Sequence, residues 1–182
     1  MNISGEHVTL RAIEQEDLPL LQKWANDASI QKMLGGWHFP VGLQDQTKWF
    51  EGLSVNSTNQ RFAIDVPGHG IVGTANIVNI DWQNRNAFHG MLIGDDNLKG
   101  KGIAKDTVMT IMRYAFHEMG LERLDGDMIE YNERSIDFYV RKCGWKIEGT
   151  RPSWYYRNGR RWDKVIVGIT RQQYDDFTSL TD

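Results

Sequence analysis

Apolar positions along the chain follow two periods, and where the period changes a new element is predicted. Residues 8–13 alternate weakly and read as a first strand. Leu18, Leu21, Trp24 and Ala25 then recur at helical spacing behind the acidic run 14–17, so Asp17 is expected as N-cap with Pro19 inside the first turn. Residues 29–34, closed by Gly35-Gly36, predict a short second helix. After the aromatic loop Trp37-His38-Phe39-Pro40, residues 44–53 predict a third, with Trp49, Phe50 and Leu53 apolar. Residues 61–66 and 71–80 read as a hairpin turning at Pro67-Gly68-His69-Gly70. A polar turn leads to a strand at 88–93. The helix after it carries Ala104, Val108, Ile111, Met112, Ala115 and Met119 on one face and ends at Gly120. Then come a strand at 123–129, a helix at 132–142 with Asn132 as N-cap, and strands at 145–156 and 161–170 joined at Asn158-Gly159, a strong hairpin signal. Residues 171–177 predict a terminal turn of helix. This order predicts an α/β fold with a mixed sheet flanked by helices.

Composition narrows the function classes. The 182 residues suit one domain spanning 1–182, and 40% hydrophobic residues with 11% aromatics supply a sizeable core. A net charge of −3 argues against a general nucleic-acid binder and gives no attraction to anionic membranes. Cys143 is the only cysteine, which excludes an intramolecular disulfide framework and a thiolate zinc cluster. The five histidines, at 7, 38, 69, 89 and 117, show no metal-ligand spacing, so no metal is expected. The N-terminus lacks a basic start and an apolar core, and no run approaches the ~20 apolar residues of a membrane span. The expectation is a soluble cytoplasmic protein.

The candidate chemistry gathers at Leu98-Lys99-Gly100-Lys101-Gly102-Ile103-Ala104-Lys105-Asp106, where a strand feeds a glycine-rich, lysine-bearing turn that opens a helix. Gly100 and Gly102 permit positive φ and close approach of a ligand. The free N–H groups at the helix start, with the macrodipole, favour a phosphate or pyrophosphate. Two phosphate motifs are excluded. A Walker A loop needs Ser or Thr where Gly102 stands, and a dinucleotide fingerprint read from Gly100 needs Gly or Ala at Lys105.

The stretch Lys99-Gly100-Lys101-Gly102-Ile103-Ala104 resembles the acyl-CoA pyrophosphate loop of the GNAT N-acetyltransferases, with Lys99 replacing the usual Gln or Arg but keeping its charge. A second stretch, Asn132 to Tyr139 followed by Cys143-Gly144-Trp145, is similar to the family's other main motif. The resemblance covers nearly the whole chain and implies the GNAT fold, a largely antiparallel sheet flanked by helices. It implies acetyl-CoA as cosubstrate, bound by Met91, Leu92, Ile93, Lys99, Gly100, Lys101, Gly102, Ile103, Ala104, Asn132 and Ser135. It implies Tyr139 as the donor that protonates the leaving thiolate, and a base at the family's position ten residues before Lys99, which is His89. Neutral imidazole suits base work near pH 7. Gly144 lies five residues after Tyr139 where the pattern has four, so a count back from the glycine lands on Val140, which cannot donate. The count from Asn132 fixes the helix start and selects Tyr139.

These readings predict acetyl transfer to a primary amine by direct attack in a ternary complex. Thr9-Leu10-Arg11-Ala12, Glu148-Gly149-Thr150-Arg151 and Asn158-Gly159-Arg160 resemble the RimJ/RimL and polyamine-type group, which points to a protein N-terminus or small amine as acceptor. Residues 44–53 with Trp49-Phe50 also resemble relatives acting on nucleotide-linked aminosugars. A polyamine calls for acidic clusters near the early helices, and residues 37–53 carry only Asp45 and Glu51, which ranks polyamines low. Trp37, Phe39, Trp154 and Tyr155 are candidates to line the acceptor pocket. A non-catalytic CoA-binding regulatory module is the rival class. The resemblance allows a homodimer, and no nucleic acid or membrane partner is expected.

Overall fold

The computed structural model describes residues 1–36, 39–94, 98 and 100–180. Eight strands form one sheet: β1 (Ile3–Ser4), β2 (Thr9–Arg11), β3 (Gln60–Val66), β4 (Gly70–Asp81), β5 (Asn86–Ile93), β6 (Arg123–Ile129), β7 (Lys146–Arg157) and β8 (Arg160–Thr170). Their order is β1-β2-β3-β4-β5-β6-β8-β7. Every neighbouring pair is antiparallel except β5 and β6, so the sheet is mixed and largely antiparallel.

Side chains alternate across a strand, and the two faces bury separate clusters. Ile64 joins a core with Val108, Ile111, Met112, Phe116, Trp145 and Tyr174, contributed largely by α4 (Ile103–Arg113), α6 (Arg171–Ser179) and the segments that flank them. Its neighbour Ala63 joins Leu18, Leu21 and Trp24 of α1 (Leu18–Ala25), with Trp49 and Phe50 of α3 (Leu43–Glu51) packed against them. Two short helices, α2 (Ala28–Gln31) and α5 (Glu133–Asp137), also lie among the described residues.

Three expectations need correction. The strand predicted at 8–13 is only three residues long and pairs with β1, which is too short to show a period. Asp17 stands at the N-cap position of α1, with Pro19 in the first turn, but its side chain makes no capping bond to that helix. A 3₁₀ turn starts earlier, at Gln15–Asp17, and the Asp17 carboxylate reaches back to the Glu14 N–H at 2.9 Å. Arg11 holds that carboxylate with two hydrogen bonds, at 2.8 and 3.0 Å. The helix after the glycine loop leaves α geometry at Arg113. It continues as a π-helical turn, Tyr114–Glu118, in which the Met119 N–H donates to the Tyr114 carbonyl at 3.0 Å. Gly120 ends it with φ +69°.

One carboxylate ties the N-terminal hairpin to the start of α4. Asp106, in the first turn of α4, accepts from the backbone N–H groups of Glu6, His7 and Val8 at 3.0, 2.7 and 2.9 Å. Hydrogen bonds to a charged group contribute more than neutral ones, and a carboxylate in a first turn also complements the macrodipole. Asp106→Ala is therefore expected to lower stability by about 2 kcal/mol, read as a shift of the urea midpoint. An unchanged midpoint would show that this clamp contributes nothing.

Candidate active site

The site is built on the one parallel pair. β5 and β6 are paired only from Asn86↔Arg123 to Phe88↔Asp125. Beyond that point they diverge. β5 stays on β4 as far as Ile93↔Gly73, and β6 stays on β8 as far as Ile129↔Lys164. The backbone of Met91, Leu92 and Ile93 therefore borders an open wedge, with N–H and C=O groups that no strand of the described sheet takes up on that side. Such an edge is a template for an amide-bearing ligand.

At the open end of β5 the chain turns into α4. Lys99 lies outside the described residues. Gly100 and Gly102 both adopt φ +81°, a region that L side chains enter at a cost. A Cβ at Gly100 would meet no heavy atom within 4 Å, and one at Gly102 only His7, at 3.9 Å. Both glycines are present for conformation and outward access rather than packing. Gly102 caps α4, whose first N–H groups have no intrahelical acceptor. Ile103 is buried and anchors the turn, Ala104 is half-buried, and Lys101 is exposed.

Tyr139 and His89 meet at the closed end of the wedge. The Tyr139 hydroxyl lies 3.1 Å from His89 Nε2, and His89 Nδ1 lies 2.8 Å from the Asn76 carbonyl. A carbonyl only accepts, so Nδ1 carries the proton, Nε2 is the acceptor, and the Tyr139 O–H donates to it. Both groups are buried, beside Trp145. Burial pushes the imidazole down to about 4, against the pull of the Asn76 bond, and pushes the phenol above its ordinary range. Neutral forms of both therefore persist across neutral pH.

The helix after β6 shows how Tyr139 reaches this place. Asn132 caps α5: its side-chain oxygen accepts from the Ser135 N–H at 3.4 Å, and its amide donates to the Met33 carbonyl at 3.2 Å. The extra residue before Gly144 is taken up by a π-helical turn at Phe138–Lys142, whose i→i+5 closure spans one residue more than an α turn. The turn closes with Trp145 N–H donating to the Tyr139 carbonyl at 3.1 Å, and Gly144 adopts φ +80°. Tyr139, not Val140, faces His89. Cys143 is buried in the same turn, and burial pushes its thiol up to about 12, so it is no ready nucleophile.

A cavity of about 360 Å³ opens on the other face of the sheet, between α1, α3 and the end of β5. Leu21, Trp24, Gln46, Trp49, Thr74 and Leu92 line it. A Cβ at Gly94 would fall into the Trp24 ring, so the indole lies directly on the backbone that follows β5. Trp24 escaped sequence reading, because it looks like part of the ordinary apolar face of an amphipathic helix. Of the aromatics expected there, Trp37 is outside the described residues. Phe39 and Trp154 are exposed, and Tyr155 is buried with its hydroxyl donating to Asp127 at 3.0 Å. A larger cavity, about 990 Å³, lies away from the wedge over β1 to β3, and neither Tyr139 nor the glycine loop borders it.

Comparison with known proteins identifies the family. The model of the acetyltransferase (GNAT) domain matches residues 7–146. The chain belongs to the GNAT family. It is 26% identical over 172 residues to the SPbeta prophage-derived uncharacterized N-acetyltransferase YokL of Bacillus subtilis (strain 168), covering 94% of each chain. It is 25% identical over 171 residues to the spermidine N(1)-acetyltransferase of Escherichia coli (strain K12), covering 94% of this chain and 90% of that one. A crystal structure of spermidine N-acetyltransferase from Vibrio cholerae in complex with CoA and spermine superposes with a TM-score of 0.85 at 21% identity, over 92% of this chain and 98% of that one. This GNAT protein is thus an N-acetyltransferase with the family's fold. No helix among its described residues is long and apolar enough to cross a membrane.

Proposed function

We propose that residues 1–182 act as one domain that moves an acetyl group from acetyl-CoA to a primary amine, by direct attack in a ternary complex. The observation that carries this reading is the wedge between β5 and β6, with the glycine turn at its open end and the Tyr139 hydroxyl at its closed end. In it, Met91, Leu92 and Ile93 would hold the pantetheine amides. Lys99 through Ala104 would hold the pyrophosphate, and Asn132 and Ser135 would border the pantetheine arm. The amine would enter from the opposite face, through the cavity walled by Trp24 and Trp49. Buried Cys143 offers no acyl-enzyme route, which favours direct attack.

Tyr139 serves as the donor to the departing sulfur. His89 acts through Tyr139: with both ring nitrogens engaged, it positions the phenol rather than taking the amine's proton itself. A protein N-terminus or small amine is the acceptor class of this reading, and a nucleotide-linked aminosugar is the second. A buried, hydrogen-bonded phenol at the wedge argues against a non-catalytic CoA-binding module, which needs no donor there.

The loop assignment is tested by Gly102→Val. A β-branched residue at φ +81° is strained, and its methyls would project where close phosphate approach is needed. CoA affinity is expected to fall at least tenfold, about 1.4 kcal/mol. Calorimetry on the folded variant showing unchanged affinity would reject the placement, and release of free CoA across a panel of amines tests the reaction itself.

A further inference from the structure

The chain is acidic overall, yet residues 151–164 hold Arg151, Arg157, Arg160, Arg161 and Lys164 against one acid, Asp163. Two of these cations face each other across the strand pair. Arg157 and Arg160 are direct cross-strand partners at the end of the β7–β8 hairpin, on either side of the turn Asn158-Gly159 with φ +51° and +76°. Directly opposed residues share a face, and like charges there cost stability. Aromatic rings hold both in place: the Arg160 guanidinium lies 3.6 Å from the Trp162 ring centre, and that of Arg157 lies 5.5 Å from Tyr155. Among the described residues neither forms an ion pair, and Arg157 Nε is buried without a hydrogen-bond partner. The nearby carboxylate, Asp127, is already taken by Lys164 at 2.9 Å and Tyr155 at 3.0 Å.

The rings that hold the pair reach the loop that follows α2, and Gln31, the last residue of α2, lines the cavity proposed for the acceptor. Tyr155, on the same face, hydrogen-bonds to the β6 arm and touches the loop after α2, where a Cβ at Gly35 would fall 2.7 Å from its hydroxyl. Trp162 packs edge-on against Tyr131 at 4.8 Å, and the Tyr131 hydroxyl donates to the Lys32 carbonyl of that same loop. Two fixed guanidiniums without counter-charge match the oxygens of a phosphate or carboxylate. We propose that Arg157 and Arg160 form an anion subsite for the acceptor, so that the acetylated amine is borne by a molecule carrying a phosphate or carboxylate. This rests on the acetyltransfer reading above and narrows its substrate class, away from polycations.

The test uses acceptors in matched pairs: glucosamine 6-phosphate with glucosamine, and a peptide beginning Ser-Glu with one beginning Ser-Gln, spermidine being the polycation. The anionic member of one pair is expected to show at least tenfold higher kcat/KM, and the pair that does so tells phosphate from carboxylate. The ratio should fall towards one in R157Q/R160Q. In parallel, the CoA-loaded protein is titrated with inorganic phosphate while tryptophan fluorescence is followed; the response should be lost in R157Q/R160Q. Equal kcat/KM within both pairs, a preference for spermidine, or a ratio untouched by the substitutions would overturn the subsite. Where CoA binds but no amine is acetylated, the acetyltransfer reading fails and the phosphate titration decides alone: a response lost in the double variant upholds the subsite, and no response or an unaltered one overturns it.

Discussion

Tyr139→Phe is expected to lower kcat about 10²-fold while CoA affinity stays within about twofold. The substitution removes one oxygen. Attack by an amine on a thioester pushes charge onto sulfur as the C–S bond breaks, and a placed O–H stabilises that charge and supplies the proton. Burial keeps the phenol neutral, so it can act as a donor and not as an anion that would repel the thiolate. In the free protein its hydrogen is engaged by His89 Nε2 at 3.1 Å, and one hydrogen cannot serve two acceptors at full strength. The imidazole is the weaker claimant, because desolvation holds its pKa at about 4, well below that of a thiol, near 8.5. The hydrogen therefore turns from His89 to sulfur as charge develops; CoA leaves as its thiol, and the proton that the nitrogen sheds on becoming a neutral amide returns to the Tyr139 oxygen and restores the phenol. A kcat close to wild type, with chemistry shown to be rate-limiting, would remove Tyr139 from the reaction.

Some of this was legible in the chain and some was not, for physical reasons. Gly100 and Gly102 were readable because only glycine adopts φ +81° freely, and Asn158-Gly159 because a two-residue turn needs positive φ at both places. The Asn132 to Tyr139 spacing was readable because a capped helix start sets the phase of the residues in its first turns. The π-turn that rescues this spacing was not, since one inserted residue leaves the apolar period almost unchanged. Asp17 falls at the N-cap position that its sequence suggests, but its carboxylate turns to Arg11, which comes from a strand whose position is a tertiary fact. Trp24 could not be told from a core residue, because the same face of a helix can meet a sheet or a cavity. Arg157 and Arg160 vanished into a net charge of −3, because a sum over the chain does not show where its cations stand.

His89 should make the protein lose stability as pH falls from about 6.5 towards 4, by about 3 kcal/mol at most. The sign is set by where the proton binds. In the unfolded chain an imidazole titrates near 6.5, whereas in the fold burial holds His89 neutral down to about 4. Between those values the unfolded state carries a proton that the folded state does not, so acid pulls the equilibrium towards unfolding, and above about 6.5 the contribution is complete. The fold has no easy way to accept the charge. Nδ1 already donates to the Asn76 carbonyl, and a proton on Nε2 would face the hydroxyl of Tyr139, which must then reverse its hydrogen bond inside a buried cluster with Trp145. Urea midpoints measured from pH 7.5 to 4 should show this slope in the wild type. His89→Gln keeps a polar group in place without a titrating one, and should flatten the slope while lowering stability at pH 7.5 through imperfect packing. An equal slope in the two proteins would mean that His89 takes up its proton as readily folded as unfolded, and that the buried neutral imidazole is not what holds the Tyr139 hydroxyl.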